Sequence, residues 1–303
     1  MLKSMNVCVT GAAGQIAYSF IPQLLSGNVF PNTLIRLKLL DIAQSEMAMK
    51  GVIMEIHDCA YPLLESVEST TDTNDGFKDA DVIVFLGGFP RKKGMERKDL
   101  MQLNKKIFIK QAQALGSAKP DVRCVVVANP ANTNAYILSK YSQIPKKNIT
   151  CLTRLDHNRA VSQISVKTGV KVEEIDDVFV FGNHSLTQYP CIESIRVKGK
   201  PIADFVDEKW LKWEFISNVQ KRGGEIIEAR GNSSVFSAAN AVVHHLKDWY
   251  SGSDRTVSMG IMSNGEYDIP KGIWSSIPVK CSGGFKFEVV EGIELSEFGK
   301  DNI

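Results

Sequence analysis

The chain has 303 residues, with 36 basic against 34 acidic side chains, 44% hydrophobic residues and a formal charge of +2. At roughly 150 residues per domain this length suggests about two domains, and the composition is that of a globular protein with a large core. Disordered and low-complexity classes are excluded, as is a nucleic-acid binder working through bulk charge. No apolar stretch reaches the roughly 18 residues of a membrane-spanning helix, so no membrane contact is expected. Met1–Met5 leads straight into a strand-like run, which leaves no room for a signal peptide. The cysteines Cys8, Cys59, Cys124, Cys151, Cys191 and Cys281 are scattered without a C-x-x-C pair, which suits reduced thiols in the cytoplasm. Neither a disulfide framework nor a metal site is expected.

In chain order, the first half alternates short apolar runs with longer amphipathic stretches. The runs are Met5–Thr10, Leu37–Ile42, Asp81–Gly87, Val122–Asn129 and Ile149–Thr153. They are dense in Val, Ile and Leu without polar alternation, as strands buried on both faces of a parallel sheet are. Helix-like segments include Gly14–Ser26, Met47–His57 and Glu96–Gly116. This repetition predicts a doubly wound α/β domain over residues 1–153. From 154 to 303 the pattern becomes α+β: a helix at Asp156–Thr168, a strand at Val178–Phe181, and a helical zone from Trp210 to Trp249. β-rich runs follow at Thr256–Ser263, Ile273–Cys281 and Phe285–Val290. The Gly/Ser/Asn/Asp clusters at 251–254 and 263–268 read as hairpin loops.

The first strand runs into Thr10-Gly11-Ala12-Ala13-Gly14-Gln15-Ile16-Ala17, and a helix follows. This is a G-x-x-G-x-x-A form of the Rossmann dinucleotide fingerprint. Gly11 makes the tight turn, Gly14 lets backbone N–H groups approach a pyrophosphate, and the small Ala17 allows helix to pack on strand. The second strand ends at Asp41, placed to accept bonds from ribose hydroxyls and repel a 2′-phosphate, which favours NAD over NADP. Asp41 lies 30 residues beyond Gly11, and residues 28–33 read as a loop insertion that absorbs the excess. The plainer role for Asp41 is a turn or cap residue before Ala43.

Two nicotinamide chemistries fit such a start. Tyr136-Ile137-Leu138-Ser139-Lys140 has the Tyr-x-x-x-Lys spacing of short-chain dehydrogenases, but Asn129-Pro130-Ala131-Asn132-Thr133 stands where those enzymes need a serine. The other set comprises that Asn129 segment, Thr153-Arg154-Leu155-Asp156-His157-Asn158-Arg159, Phe181-Gly182-Asn183-His184-Ser185, and the loop Gly87-Gly88-Phe89-Pro90-Arg91 continuing to Arg97 and Leu100. With these segments in this order, the chain resembles the lactate/malate dehydrogenase family, and within it the cytosolic, malate-specific type, from Gly11 to about Phe298. A non-catalytic NAD-binding scaffold that keeps the fold is a further alternative.

Oxidising a 2-hydroxy acid needs a base for the hydroxyl proton and anchors for carboxylate. The resemblance implies His184 as the base, with Asp156 holding its other ring nitrogen; without the motif, His157 would compete with His184. Arg159, three residues after Asp156 and on the same helical face, suits bidentate capture of the first carboxylate, and Arg154 is its rival. By resemblance Arg91 takes the second carboxylate and Arg97 polarises the reacting carbonyl, both on a lid, while Asn129 meets the substrate. Five of the seven charged residues from Arg91 to Asp99 are basic, so the segment also reads as a solvated surface loop. Asn104, Gln111, Val127, Ala128 and Asn129 match positions near the cofactor.

Lactate-specific members carry an uncharged residue at the position of Arg91. A buried guanidinium without a carboxylate partner is costly, so Arg91 implies malate and oxaloacetate rather than lactate and pyruvate. The resemblance further implies a cytoplasmic homodimer, with Met47–Asp58 in the interface, and leads one to expect a longer final helix after Glu297-Phe298-Gly299.

Overall fold

Continuous apolar runs with β-branched residues form the buried centre of a parallel sheet, and the first half of the chain builds one around β1 (Lys3–Thr10). The computed structural model describes residues 2–89 and 97–303, without the side chains of residues 97–100. By contacts, the chain divides into two units, Met1–Cys151 and Leu152–Ile303.

The first unit continues with α1 (Gln15–Leu25), β2 (Thr33–Leu40), α2 (Glu46–Asp58), β3 (Leu64–Thr70) and α3 (Thr73–Phe77). It is completed by β4 (Val82–Phe85), α4 (Arg97–Ala114), β5 (Arg123–Val126), α5 (Ala131–Tyr141) and β6 (Ile149–Cys151). All its strand pairings are parallel, in the order β3-β2-β1-β4-β5-β6. This is the doubly wound Rossmann order, whose reversal beside β1 opens a crevice at the carboxyl ends of the strands. Every residue of β4 is buried. α1 turns Ala17, Phe20, Ile21, Leu24 and Leu25 inward, the i, i+3, i+4 stripe of a helix lying on a sheet.

β3 has no counterpart among the strands expected from sequence. It is an edge strand with no fully buried residue, so it lacks the apolar run that marks its neighbours. The parallel backbone ladder joins it to β2, and cross-strand charge pairs flank that ladder, Arg36 with Glu65 at 2.8 Å and Lys38 with Glu68 at 2.6 Å.

The second unit opens with α6 (Arg154–Thr168) and short strands β7 (Ile175–Asp176), β8 (Phe179–Phe181), β9 (Tyr189–Cys191), β10 (Arg196–Val197) and β11 (Lys200–Pro201). The expected helical zone is divided. A π-helical turn, Trp210–Phe215, runs into α7 (Ile216–Arg230), which ends where Gly231 takes a left-handed φ of 72°. α8 (Phe236–Ser251) follows. β12 (Thr256–Met262), β13 (Trp274–Gly283) and β14 (Lys286–Val289) form an antiparallel meander, and α9 (Glu297–Asn302) ends the chain, capped by Ser296. An α+β unit thus follows the Rossmann unit. No described helix is long and apolar enough to cross a membrane.

Candidate active site

In the first unit, the turn after β1 and the turn after β4 meet backbone to backbone. Gly11 has φ +66°, and a Cβ placed on it would lie 2.6 Å from the Cα of Gly87. The reverse substitution would put a Cβ of residue 87 at 2.8 Å from the Gly11 nitrogen. Only glycine permits this crossing. The Gly87 N–H donates to Thr10 Oγ1 at 3.1 Å, which pins the two turns together.

Gly14 precedes α1, so the first N–H groups of that helix, which have no intrahelical partner, open beside Gly11. Asp41, just beyond β2, accepts from the Ala13 N–H through Oδ2 at 2.9 Å and from the Ile42 N–H through Oδ1 at 2.7 Å. It therefore clamps the glycine turn and also lines the crevice.

The crevice holds about 640 Å³ and is lined by Gly11, Ala13, Gly14, Asp41, Gly87 and Gln111 among others. Ala12 and Ala17 are buried beneath it, and Gln15 and Ile16 open α1. Gln111 is buried, and its Oε1 has no hydrogen-bond partner among the described residues. Asn104 is turned to another task, since its amide bonds the backbone of Phe89 in both directions at 2.8 and 3.3 Å. Val127 and Ala128 donate their N–H groups to Phe85 O, and Asn129 follows as an exposed residue. A cradle that a single Cβ would fill, unpaired helix N–H groups and a strand-end carboxylate together fit a dinucleotide.

In the second unit, α6 places Asp156 in its first turn, completely buried. Arg159, one turn later, donates to Asp156 Oδ1 at 3.1 Å through Nη1 and to Ser234 Oγ at 3.3 Å through Nη2. The other carboxylate oxygen, Oδ2, bonds His184 Nδ1, carried by the loop after β8. β13 fixes both elements. Ser276 exchanges backbone hydrogen bonds with Gly182 at 3.3 and 2.7 Å, and its hydroxyl donates to Thr153 Oγ1 at 2.9 Å.

The electrostatics follow from this packing. The Asp156 carboxylate raises the proton affinity of His184 above the ordinary histidine value, while burial and the Arg159 charge oppose it. Burial works against the charge of Asp156, but His184, Arg159 and the amide of Gln188 outweigh it and hold the carboxyl below its usual range. Burial lowers the basicity of Arg159, and Asp156 partly restores it.

Of the rival residues, His157 and Arg154 are engaged elsewhere in the second unit. His157 Nδ1 lies 3.2 Å from Ser258 Oγ, and burial, reinforced by the Arg154 charge, lowers its basicity well below the ordinary value. Arg154 pairs with Asp248 at 2.7 Å. Tyr136 is exposed on α5, with the Lys140 ammonium 5.8 Å from its ring centre. Arg91 lies outside the described residues, and so does the side chain of Arg97, whose backbone begins α4.

Several participants were not singled out from sequence: Thr10, Gly87, Ser234 and Ser276. Only the Gly87-Gly88 pair, placed directly after a strand, offered a local hint of close backbone approach. The three hydroxyl residues become recognisable through partners distant in the chain.

Residues 5–151 match the family model described as lactate/malate dehydrogenase, NAD binding domain, and residues 153–303 match lactate/malate dehydrogenase, alpha/beta C-terminal domain. The chain is 46% identical to the cytoplasmic malate dehydrogenase of Zea mays over 308 residues, covering 98% of this chain and 92% of that one. Among solved structures it is similar to malate dehydrogenase from Naegleria fowleri, with a TM-score of 0.96, 44% identity, and coverage of 100% of this chain and 94% of that one. Trichomonas vaginalis lactate dehydrogenase in complex with NADH and oxamate has a TM-score of 0.94 and 32% identity, over 98% of this chain and 93% of that one.

Proposed function

The chain belongs to the lactate/malate dehydrogenase family, and from that premise we propose that it catalyses reversible hydride transfer between malate and oxaloacetate with NAD(H) in the cytoplasm. The observation that carries the reading is the Asp156 carboxylate gripped on one oxygen by His184 and on the other by Arg159. It joins a proton-transfer group to a carboxylate anchor through one buried charge.

In the proposed mechanism Gly11 to Ala17, Asp41 and Gln111 hold the dinucleotide, with Asn104, Val127, Ala128 and Asn129 supporting it. NAD, when bound, supplies the hydride acceptor. His184 donates Nδ1–H to Asp156, which leaves the Nε2 lone pair to take the hydroxyl proton of malate as the hydride leaves C2. In the reverse direction the imidazolium returns that proton to the carbonyl oxygen of oxaloacetate. Asp156 remains ionised and stabilises the imidazolium.

Arg159 presents its guanidinium to the C1 carboxylate. Arg91 is assigned to the second carboxylate and Arg97 to the reacting carbonyl, as parts of a lid, and Asn129 contacts the substrate. The boundary of the nucleotide domain is placed at residue 153. A homodimer belongs to the same reading. α2 buries only Met49 and Ile56 within its unit and leaves Met47 and Met54 exposed, apolar surface that a second copy would cover.

The deciding experiment compares initial rates with oxaloacetate and pyruvate, each with NADH and with NADPH. A strong preference for oxaloacetate and NADH is expected. Preference for pyruvate would overturn the assignment of Arg91. Tight NADH binding without turnover of either keto acid would restore the scaffold reading.

A further inference from the structure

Gln188 sits at the end of the loop that carries His184, immediately before β9, and is 2% exposed. Its Nε2 lies 3.3 Å from Asp156 Oδ1, the oxygen that Arg159 also bonds, while His184 holds Oδ2. One loop therefore grips a single buried carboxylate from both of its oxygens. Because an ionised carboxylate only accepts, the amide must turn its NH₂ towards Asp156; the opposite orientation would set oxygen against oxygen. The backbone of Gln188 is fixed as well. Its N–H donates to Ser185 O at 3.2 Å, and its carbonyl accepts from Gln220 Nε2 of α7 at 2.7 Å.

We propose that Gln188 is a positioning residue of the proton relay, its amide holding Asp156 Oδ1 so that the carboxylate stays aligned on His184 and its hold on the imidazolium is moderated. This rests on the reading of His184 as the acid–base group. A residue needed only to fill space here would be apolar. The amide instead brings Oε1 into the interior, where it has no hydrogen-bond partner among the described residues, a disposition that packing alone does not favour.

A hydrogen bond donated to a carboxylate draws charge away from it. Removing the donor leaves more negative charge facing His184 and strengthens its hold on a proton. Among the described residues, the other charged groups bearing on the pair are Arg159, one turn along α6, and Arg222 of α7, which acts through Arg159. Neither changes in the variants below, so a displaced His184 titration reports the Gln188 amide.

The test compares the wild type with Gln188→Met, which keeps length without the donor, and Gln188→Glu, which adds a second negative charge. Three quantities are read: NADH affinity, the pH profile of kcat/KM for oxaloacetate reduction, and the His184 imidazole titration followed by NMR. Gln188→Met should leave NADH affinity within about twofold and lower kcat by roughly tenfold, the scale of one charge-assisted hydrogen bond. It should also move the alkaline limb of reduction, and the His184 titration, to higher pH. Gln188→Glu should move both further in the same direction.

An unmoved titration in either variant that folds, even with activity lost, would reduce Gln188 to a packing residue and overturn the proposal. Should neither variant fold, Gln220→Met provides the reading, with a smaller displacement of the same sign expected and no displacement counting against the proposal. A wild type that titrates as described but does not turn over oxaloacetate would defeat the functional reading and leave the Gln188 result standing.

Discussion

Gly182 and Ser276 exchange both backbone hydrogen bonds, so the loop bearing His184 is stitched to β13 two residues before the imidazole. The Ser276 hydroxyl reaches Thr153, the residue before α6, at 2.9 Å. One serine thus registers the loop of His184 and the start of the helix that carries Asp156. Ser276→Ala would leave Thr153 Oγ1 without its buried donor, at a cost of about 1–2 kcal/mol. Urea unfolding should show this loss, and kcat should fall by several-fold with NADH affinity kept. Unchanged kcat in a destabilised variant would confine Ser276 to stability.

How far the molecule is legible in sequence depends on how local each feature is. The glycine turn is visible because Gly11, Gly14 and Ala17 lie within seven residues and strand and helix flank them. The buried strands are visible because burial on both faces leaves an unbroken apolar run. β3 escapes for the converse reason: Glu65, Ser66 and Glu68 make an edge strand look like a loop. Trp210 to Trp249 reads as one helical zone because Gly231, which breaks it, also resembles an ordinary tolerated glycine. Asp156 and Arg159 stand out through helical spacing, but motif context was needed to separate His184 from His157. Gln188 and Ser234 carry no local mark, since Asp156 and Arg159, their partners, lie 32 and 75 residues away.

The crossing of Gly11 and Gly87 predicts a graded response to one methyl group. Gly87→Ala must displace the Gly11 backbone, at a cost of about 1–3 kcal/mol from overpacking. Gly11→Ala adds a left-handed φ to a closer contact and should be the more severe. NADH titration should show affinity reduced in both, and thermal unfolding should rank them in that order. Equal stability and affinity in all three proteins would show that the turns separate freely and that the crossing has no role in holding the cradle.

The proposed function gives Asp41 two tasks that a single substitution can separate. Asp41→Ser keeps a short acceptor for the Ala13 N–H while removing the negative charge that opposes a 2′-phosphate. NADH binding should weaken by about tenfold while NADPH gains, so the ratio of kcat/KM values shifts towards NADPH by one order of magnitude or more. If both cofactors weaken equally, Asp41 serves only as a clamp on the glycine turn.

Arg91 carries the proposed choice of substrate. Arg91→Gln removes a charge that a dicarboxylic substrate would pair and a monocarboxylic one would leave bare. Oxaloacetate kcat/KM should fall by roughly a hundredfold or more, the scale of a charged hydrogen-bond pair removed from a closed site, with NADH affinity unchanged. Equal oxaloacetate kinetics would remove Arg91 from the specificity role.

The coupled charges of His184 and Asp156 set the pH response of both rate and stability. His184 is raised above its ordinary 6.5, so oxaloacetate reduction, which in the proposed mechanism needs the imidazolium, should persist above that pH. Malate oxidation, which in the same mechanism needs the neutral ring, should rise only as the pH passes the same elevated value. For stability, the raised His184 contributes fully below 6.5, and that contribution is lost as the pH climbs through its folded value. Asp156 is lowered from 3.8, so its contribution is present above 3.8 and drains away as acid brings the pH down through the folded value. His184→Asn should bind NADH, lose turnover by at least about a thousandfold, and lose the alkaline decline in stability that this histidine produces. Urea unfolding of both proteins across the range, paired with stopped-flow rates, measures the two effects separately. A variant that retained turnover would move the chemistry to another group, and Tyr136→Phe would then be the substitution to examine.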